Sequence, residues 1–332
     1  MSLISPQQTA SRPPQTAVAG PPPRRKSTVW GTSRRRRLRV FAPVFLLMAP
    51  AMVYLAVNNY VPMAGIVVAF KKFNVQEGIW GSPWVGLDNF VFLFGSGDAS
   101  IILRNTLLYN LAFIVVTNVV AIALAVMIHD VVSEKLKKLY QGSVLLPFML
   151  SIVVVSYIVF AFLSQENGLL NNTFFADDPV EWYGEGEHWP SILILVNLWR
   201  TVGFSTLLFL AALTAIDGAL YESAQLDGAN RWDQFRHVTL PNLMPTIITL
   251  VLLGVGRIFY SDFGLFYQVP MDSGAIYDAT QTIDTYVYRA LTSVGGIGRS
   301  AAAGFFQSMV GFVLVLGVNW AVRRYNAKSA IF

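Results

Sequence analysis

Six stretches of continuous apolarity, each about 20 residues long or slightly longer, constrain this chain more than any other feature of its sequence. They lie near 41–62 (FAPVFLLMAPAMVYLAVNNYVP), 105–128 (NTLLYNLAFIVVTNVVAIALAVMI), 143–163, 190–213, 243–262 and 301–322. At about 1.5 Å per residue, each is long enough to cross a hydrocarbon core of about 30 Å as a helix. Barrel strands would alternate polar and apolar residues with a period of two, and these windows do not alternate. Composition agrees, with 54% hydrophobic and only 13% charged residues among 332, against roughly a quarter charged in soluble domains. The expected fold class is an all-α polytopic membrane protein with six transmembrane helices, 38–325 forming the membrane domain.

Charge placement orients it. Most of the 24 Lys and Arg fall on one side: Arg12, Arg24 to Lys26, Arg34 to Arg37 and Arg39 in the N-terminal tail, Lys135, Lys137 and Lys138 between the second and third spans, Arg231 and Arg236 between the fourth and fifth, and Arg323, Arg324 and Lys328 at the end. The opposite loops hold Lys71, Lys72, Arg289 and Arg299, and the loop 164–189 has Glu166, Asp177, Asp178, Glu181, Glu185 and Glu187 with no cation. By the positive-inside rule both termini are cytoplasmic. Residues 1–37 read as a disordered basic cytoplasmic tail and 326–332 as a second short tail. SRRRRLRVF at 33–41 has the pattern of a twin-arginine signal, but a cleaved signal would remove the first of six spans. Such a cluster beside a span fixes topology and attracts anionic membrane lipid; a nucleic-acid arm is not expected.

Several chemistries are excluded. The chain has no Cys, and its three His are scattered at 129, 188 and 237, so neither a metal site nor a catalytic thiol is expected. No G-x-x-x-x-G-K-[ST] phosphate loop occurs, and GVG at 254–256 lies mid-span. No catalytic residue and no bound cofactor are expected, so the chain is read as a non-enzyme.

One polar interruption stands out: YESAQLDGANRWDQFRHVTLPN at 221–242, on the cytoplasmic side. Ala, Leu, Glu and Gln favour a short helix, Gly228 interrupts it, a second helical piece carries Trp232 and Phe235, and Pro241 suits the first turn of the next span. An interfacial amphipathic helix would need only an apolar face and some cations. The acids here, facing anionic headgroups, are better explained by a protein partner.

ESAQLDGA at 222–229, followed after eight residues by VTLP at 238–241, resembles the EAA motif of ABC-importer permeases, with Ser223 and Val238 as mild departures. The resemblance implies coupling helices over 217–240, in which Glu222, Ser223, Ala224, Asp227, Gly228 and Ala229 dock on an ATPase, while Leu240 and Pro241 join them to the fifth span. It extends over about 40–325: GLDNF at 86–90, Asn105-Thr106, Leu146-Pro147, GLLN at 168–171 and WRTVGF at 199–204 are similar to the carbohydrate-importing branch. VPMAG at 61–65, AFK at 69–71, GIWGS at 78–82, WVG at 84–86 and DTYVYR at 284–289 look like permeases for polysaccharide-derived oligosaccharides, including alginate importers. The implied fold is that of a type I importer permease. The implied partners are a second homologous permease in a heterodimer, two ATPase subunits that bind ATP-Mg, and an extracytoplasmic solute-binding protein, in a bacterial cytoplasmic (inner) membrane.

Ionisable groups within spans are functional candidates by default. Arg200 and Arg257 qualify. Around them Asn197, Trp199, Tyr260, Asp262, Phe263 and Tyr267 supply the aromatic faces and directional polar groups a saccharide needs. Arg257 bonded to Asp262 is the competing structural role. An ion-coupled secondary sugar transporter is the rival function, together with an ABC permease for another small polar solute. Against the former, no internal repeat and no mid-span carboxylate is visible.

Overall fold

The computed structural model describes residues 34–91, 97–293 and 295–325; residues 1–33 of the expected tail 1–37 and the expected tail 326–332 lie outside them, while 34–37 are helical. The chain divides into two compact units, one ending at Tyr60 and the other starting at Val61. Within the first, helix α1 (Arg34–Leu55) begins inside the arginine run and passes into a π-helical stretch, Ala56–Tyr60.

Among the described residues, five helices are long and apolar enough to cross a membrane: Pro43–Phe70, Gly97–His129, Trp189–Thr214, Arg231–Gly256 and Ile297–Arg324. A sixth is reached only if Glu134–Met149 and Ile152–Leu163, which meet at 95°, count as one broken span. Among the described residues there is no strand, only an isolated bridge between Lys71 and Trp84.

The second unit is built on α2 (Gly97–His129), α3 (Glu134–Leu145), α4 (Ile152–Leu163) and α5 (Trp189–Thr214). The window 143–163 is not the straight span that hydropathy predicts. Pro147 lies in a 3-10 turn, Leu146–Met149, Leu150 is extended, and Ser151 caps α4 by accepting Val154 N–H at 3.3 Å. Proline removes an intrahelical donor and a new cap starts a new axis, so uniform apolarity hides a sharp bend.

Packing is dominated by α2 against α5. Ala121 and Ala125 are fully buried beside Val202, Phe209, Leu210 and Leu213, and small residues at such a seam let two backbones approach where lipid gives no hydrophobic drive. Closest of all is Gly203. A Cβ there would lie 2.0 Å from the carbonyl oxygen of Val144, so no larger residue fits between α5 and the end of α3.

Beyond α5 come α6 (Gly218–Leu226), a helical turn Arg231–Gln234, a π-helical stretch Phe235–Thr239, then α7 (Leu240–Gly256), α8 (Phe263–Gln268), α9 (Ile283–Thr292) and α10 (Ile297–Tyr325). The fifth span differs from its predicted 243–262 at both ends. It starts at Arg231 and stops at Gly256, because Arg257 to Ser261 leave the helix and Asp262 caps a new one by accepting Leu265 N–H at 3.1 Å. RIFYSDF is apolar enough that hydropathy cannot mark this stop.

Several motif residues outside the 217–241 element prove to be loop clamps. Asn105 Nδ2 donates to the carbonyls of Asp278 (2.9 Å) and Gln281 (3.1 Å), and Thr106 Oγ1 accepts Ile283 N–H at 3.1 Å. Asn171 gathers Val180 O, Val180 N–H and Trp182 Nε1 at 3.0, 3.3 and 2.9 Å, folding the acidic loop 164–189 into a cap with Trp182 and Trp189 buried beneath it. Burial pushes the Tyr183 hydroxyl in this cap up to about 12, so it stays neutral. Lys71, counted in the sequence as a loop charge, is buried, its ammonium donating to the carbonyls of Ile79 (2.9 Å) and Trp80 (3.2 Å).

Candidate functional site

The 217–241 element is assembled by local chemistry. Asp217 Oδ1 accepts Ala219 N–H at 3.0 Å and starts α6. Asp227 ends it, and Gly228 turns the chain at φ 81°, a left-handed angle that only glycine adopts without a steric cost. The turn closes through Gly228 N–H to Gln225 O (3.0 Å) and Ala229 N–H to Ala224 O (2.9 Å). Asn230 and Asp233 then form a capping box over the following helical turn.

Two contacts fasten this element to the spans. The Tyr221 hydroxyl meets Thr239 Oγ1 at 3.0 Å, bridging α6 to the base of the fifth span. Arg231 Nη1 pairs with Asp130 Oδ2 at 3.2 Å, just past the end of α2. Between these struts lies a cleft of about 620 Å³, bordered by His129, Tyr221, Arg231, Phe235 and Thr239.

Pro241 does not begin the fifth span, as its helix preference suggested. The helix is continuous from Arg231, and the π-helical stretch admits the proline: Leu240 N–H reaches back to Phe235 O across a widened turn. The helical piece after Gly228 and the fifth span are therefore one rod.

Glu222, Ser223, Asp227 and Gly228 are exposed, Ala224 and Ala229 half-buried, and Ser223 Oγ is occupied by Ala219 O at 2.8 Å. Leu240 is half-buried and Pro241 exposed. Sequence reasoning missed the most exposed apolar group of the element, Leu226, at 89%. Trp232 is also exposed, at 65%, with its ring stacked 5.5 Å from Phe235, and Glu222 and Asp227 are exposed on the same element. The presence of Leu226 in the motif was the available signal; a leucine on a short amphipathic helix reads as inward-facing by default.

The second candidate group sits at the other end of the fifth span. Asp262 pairs with Arg200, not with Arg257. Arg257 is exposed at the helix C-cap and makes no ion pair among the described residues. Trp199 is exposed beside Arg200, while Asn197 is buried within α5, its carbonyl accepting Thr201 Oγ1 at 2.7 Å. Tyr260 points elsewhere, donating to Ser308 on α10 at 3.1 Å. Phe263 and Tyr267 do come together, their rings stacked at 4.9 Å. They are joined by a residue that sequence reasoning quoted within DTYVYR without giving it a role, Tyr288, which lies 4.9 Å from Phe263 and 5.1 Å from Tyr267.

The family model described as "Binding-protein-dependent transport system inner membrane component" matches residues 118–327, a stretch that includes the 217–241 element and the α8–α9 aromatics. The chain is 33% identical over 288 residues to the polygalacturonan/rhamnogalacturonan transport system permease protein YteP of Bacillus subtilis (strain 168), covering 86% of this chain and 89% of that protein. It superposes with a TM-score of 0.79 on a bacterial ABC transporter involved in the import of the acidic polysaccharide alginate, at 33% identity over 88% of this chain and 99% of the other. The same score, at 31% identity, is obtained with a bacterial alginate ABC transporter in complex with an alginate pentasaccharide-bound periplasmic protein, covering 89% of this chain and 98% of that one. With the all-helical fold and its membrane-length helices, these matches show that the chain is a multi-pass inner membrane protein belonging to the binding-protein-dependent transport system inner membrane component family, an ABC transporter permease.

Proposed function

We propose that this chain is a membrane-spanning subunit of an ATP-driven importer that carries polysaccharide-derived oligosaccharides across the cytoplasmic membrane, with ATP-Mg hydrolysed on separate partner subunits and no cofactor on this chain. The observation that carries the reading is mechanical. Exposed apolar and acidic side chains (Glu222, Leu226, Asp227) are joined through a tight glycine turn to a helix that carries the exposed Trp232 and runs without interruption into the fifth span. A partner that moves this element moves the span with it, which is how nucleotide-driven closure elsewhere becomes alternating access here.

The same rod leads to the far group. Gly256 ends it at Arg257, and the following turn leads to Asp262, Phe263 and Tyr267. Displacement of the coupling element would therefore reach the groups read as the substrate path. An uncommitted guanidinium at Arg257 suits a uronate carboxylate. The expected assembly pairs this chain with a second homologous permease, two ATPase subunits and an extracytoplasmic solute-binding protein, and the alginate transporters similar in fold and sequence support that cargo class.

The test is uptake of labelled oligosaccharide into proteoliposomes holding the whole assembly. Uptake should need ATP, the binding protein and this chain together. Uptake driven by an ion gradient without the ATPase would contradict the reading.

A further inference from the structure

The Phe263–Tyr267–Tyr288 trio is built more rigidly than packing a loop requires. Behind the rings, Asp272 is a hub: its Oδ1 accepts Arg289 Nη2 at 2.7 Å, Arg289 Nε at 3.0 Å and the Tyr277 hydroxyl at 3.0 Å. Arg289 also lies 3.6 Å above the Tyr277 ring. Met271 and Asp272 hold left-handed backbone angles, φ 53° and 49°, which are unfavourable for residues with a Cβ and persist where the surroundings over-determine them.

Its depth is fixed by Arg200. That residue lies near the middle of α5, about 17 Å from Trp189 and about 21 Å from Thr214 at about 1.5 Å per residue. Its ion-pair partner Asp262 caps α8, which bears Phe263 and Tyr267, so the trio starts at the depth of the spans. Non-helical backbone such as Arg257 to Ser261 is tolerated at that depth only where it is buried in protein or lines a water-filled cavity. Tyr288 is 39% exposed, Phe263 and Tyr267 are half-buried and Arg257 is exposed, so these side chains are not sealed within the core of this chain.

We propose that Phe263, Tyr267 and Tyr288 form a stacking site for pyranose rings within the translocation path, recognising the C–H face of a sugar whether or not the sugar is charged. The inference rests on the import reading above. Aromatic faces match the apolar faces of sugar rings. Arg289 is committed to Asp272 and Arg200 to Asp262, so the trio itself presents neutral rings. A neutral surface without directional bonds to the cargo holds a ring well enough to admit it and loosely enough to pass it on, as conduction demands.

The test uses the complete assembly in proteoliposomes, with tritiated trigalacturonate and galactotriose as probes and two substitutions at one position. Tyr288→Phe keeps the ring and loses the hydroxyl; ATP-driven uptake of both probes should stay within about twofold of the unsubstituted assembly. Tyr288→Leu keeps apolar bulk and loses the aromatic face; uptake of both probes should fall roughly tenfold, with basal ATP hydrolysis and co-purification of the second permease unchanged. Undiminished uptake by Tyr288→Leu overturns the site, and a loss confined to trigalacturonate overturns its indifference to charge. Loss of the second permease from the Tyr288→Leu preparation overturns it too, by assigning the platform to the interface between the permeases. If the unsubstituted assembly imports neither probe, the import reading fails first and the site fails with it.

Discussion

Arg200 and Asp262, 62 residues apart in sequence, form an ion pair that joins the middle of α5 to the cap of α8. The guanidinium side chain is 20% exposed and the carboxylate 35%, so each partner compensates the other in a partly dry site. A charge left alone in such a place is costly, whereas removal of both partners together is far better tolerated.

Arg200→Gln and Asp262→Asn should therefore each destabilise the detergent-solubilised protein, by about 2–3 kcal/mol, while the double variant loses clearly less than their sum. Asn at 262 keeps the helix cap, which separates the effect of charge from that of capping. Additive losses in thermal unfolding would show that the two side chains do not depend on one another.

At Gly203, the approach of the Val144 carbonyl leaves no room for a methyl group. Gly203→Ala should cost about 1–3 kcal/mol and lower the yield of folded protein. Gly218→Ala is the internal control: nothing lies within 4 Å of a Cβ there, and alanine is the better helix former, so stability should be unchanged or slightly raised. Equal behaviour of the two variants in thermal unfolding would contradict the close packing of α5 on α3.

Much of this architecture was legible in the sequence, and the limits of legibility are physical. Twenty apolar residues in a row force a helix wherever lipid surrounds it, which is why five windows lie in membrane-length helices. Hydropathy has no term for direction, so the bend at Pro147 and the exit at Arg257 passed unseen. The 217–241 element was readable because its turn depends on local chemistry: Gly228, Asn230 and Asp233 act within a few residues of one another. Arg200–Asp262 and the Tyr288 ring depend on contacts between distant segments, and no spacing rule encodes them. Leu226 was visible as a letter but not as a surface.

Arg257 lies apart from every carboxylate it was expected to meet, and its charge is uncommitted among the described residues. Arg257→Ala should reduce uptake of acidic oligosaccharides by roughly tenfold or more while sparing neutral ones, since a lost charge-assisted bond is worth about 1.5–3 kcal/mol. Initial rates in proteoliposomes for matched acidic and neutral trisaccharides check this; equal loss for both would give Arg257 a structural role.

Gly228 occupies a left-handed turn whose Cβ would project into open space. Substitution there strains the backbone without any clash, so the size of the effect should follow tolerance of that conformation. Gly228→Asn should retain most ATP-dependent uptake. Gly228→Val should abolish it, together with co-purification of the ATPase, while membrane insertion is unaffected. Similar uptake for the two variants would show that the turn is not part of the coupling.

The central claim, that the 217–241 element is the surface on which an ATPase docks, can be tested with a single thiol, because the chain has no cysteine of its own. Leu226→Cys places one on the most exposed apolar residue of that surface, and Val132→Cys places another on the neighbouring loop after α2, where the side chain is 97% exposed. Maleimide labelling of both variants, with and without the ATPase subunits bound, should show protection at 226 and none at 132. Equal labelling of Leu226→Cys in the presence and absence of the ATPase would contradict the account.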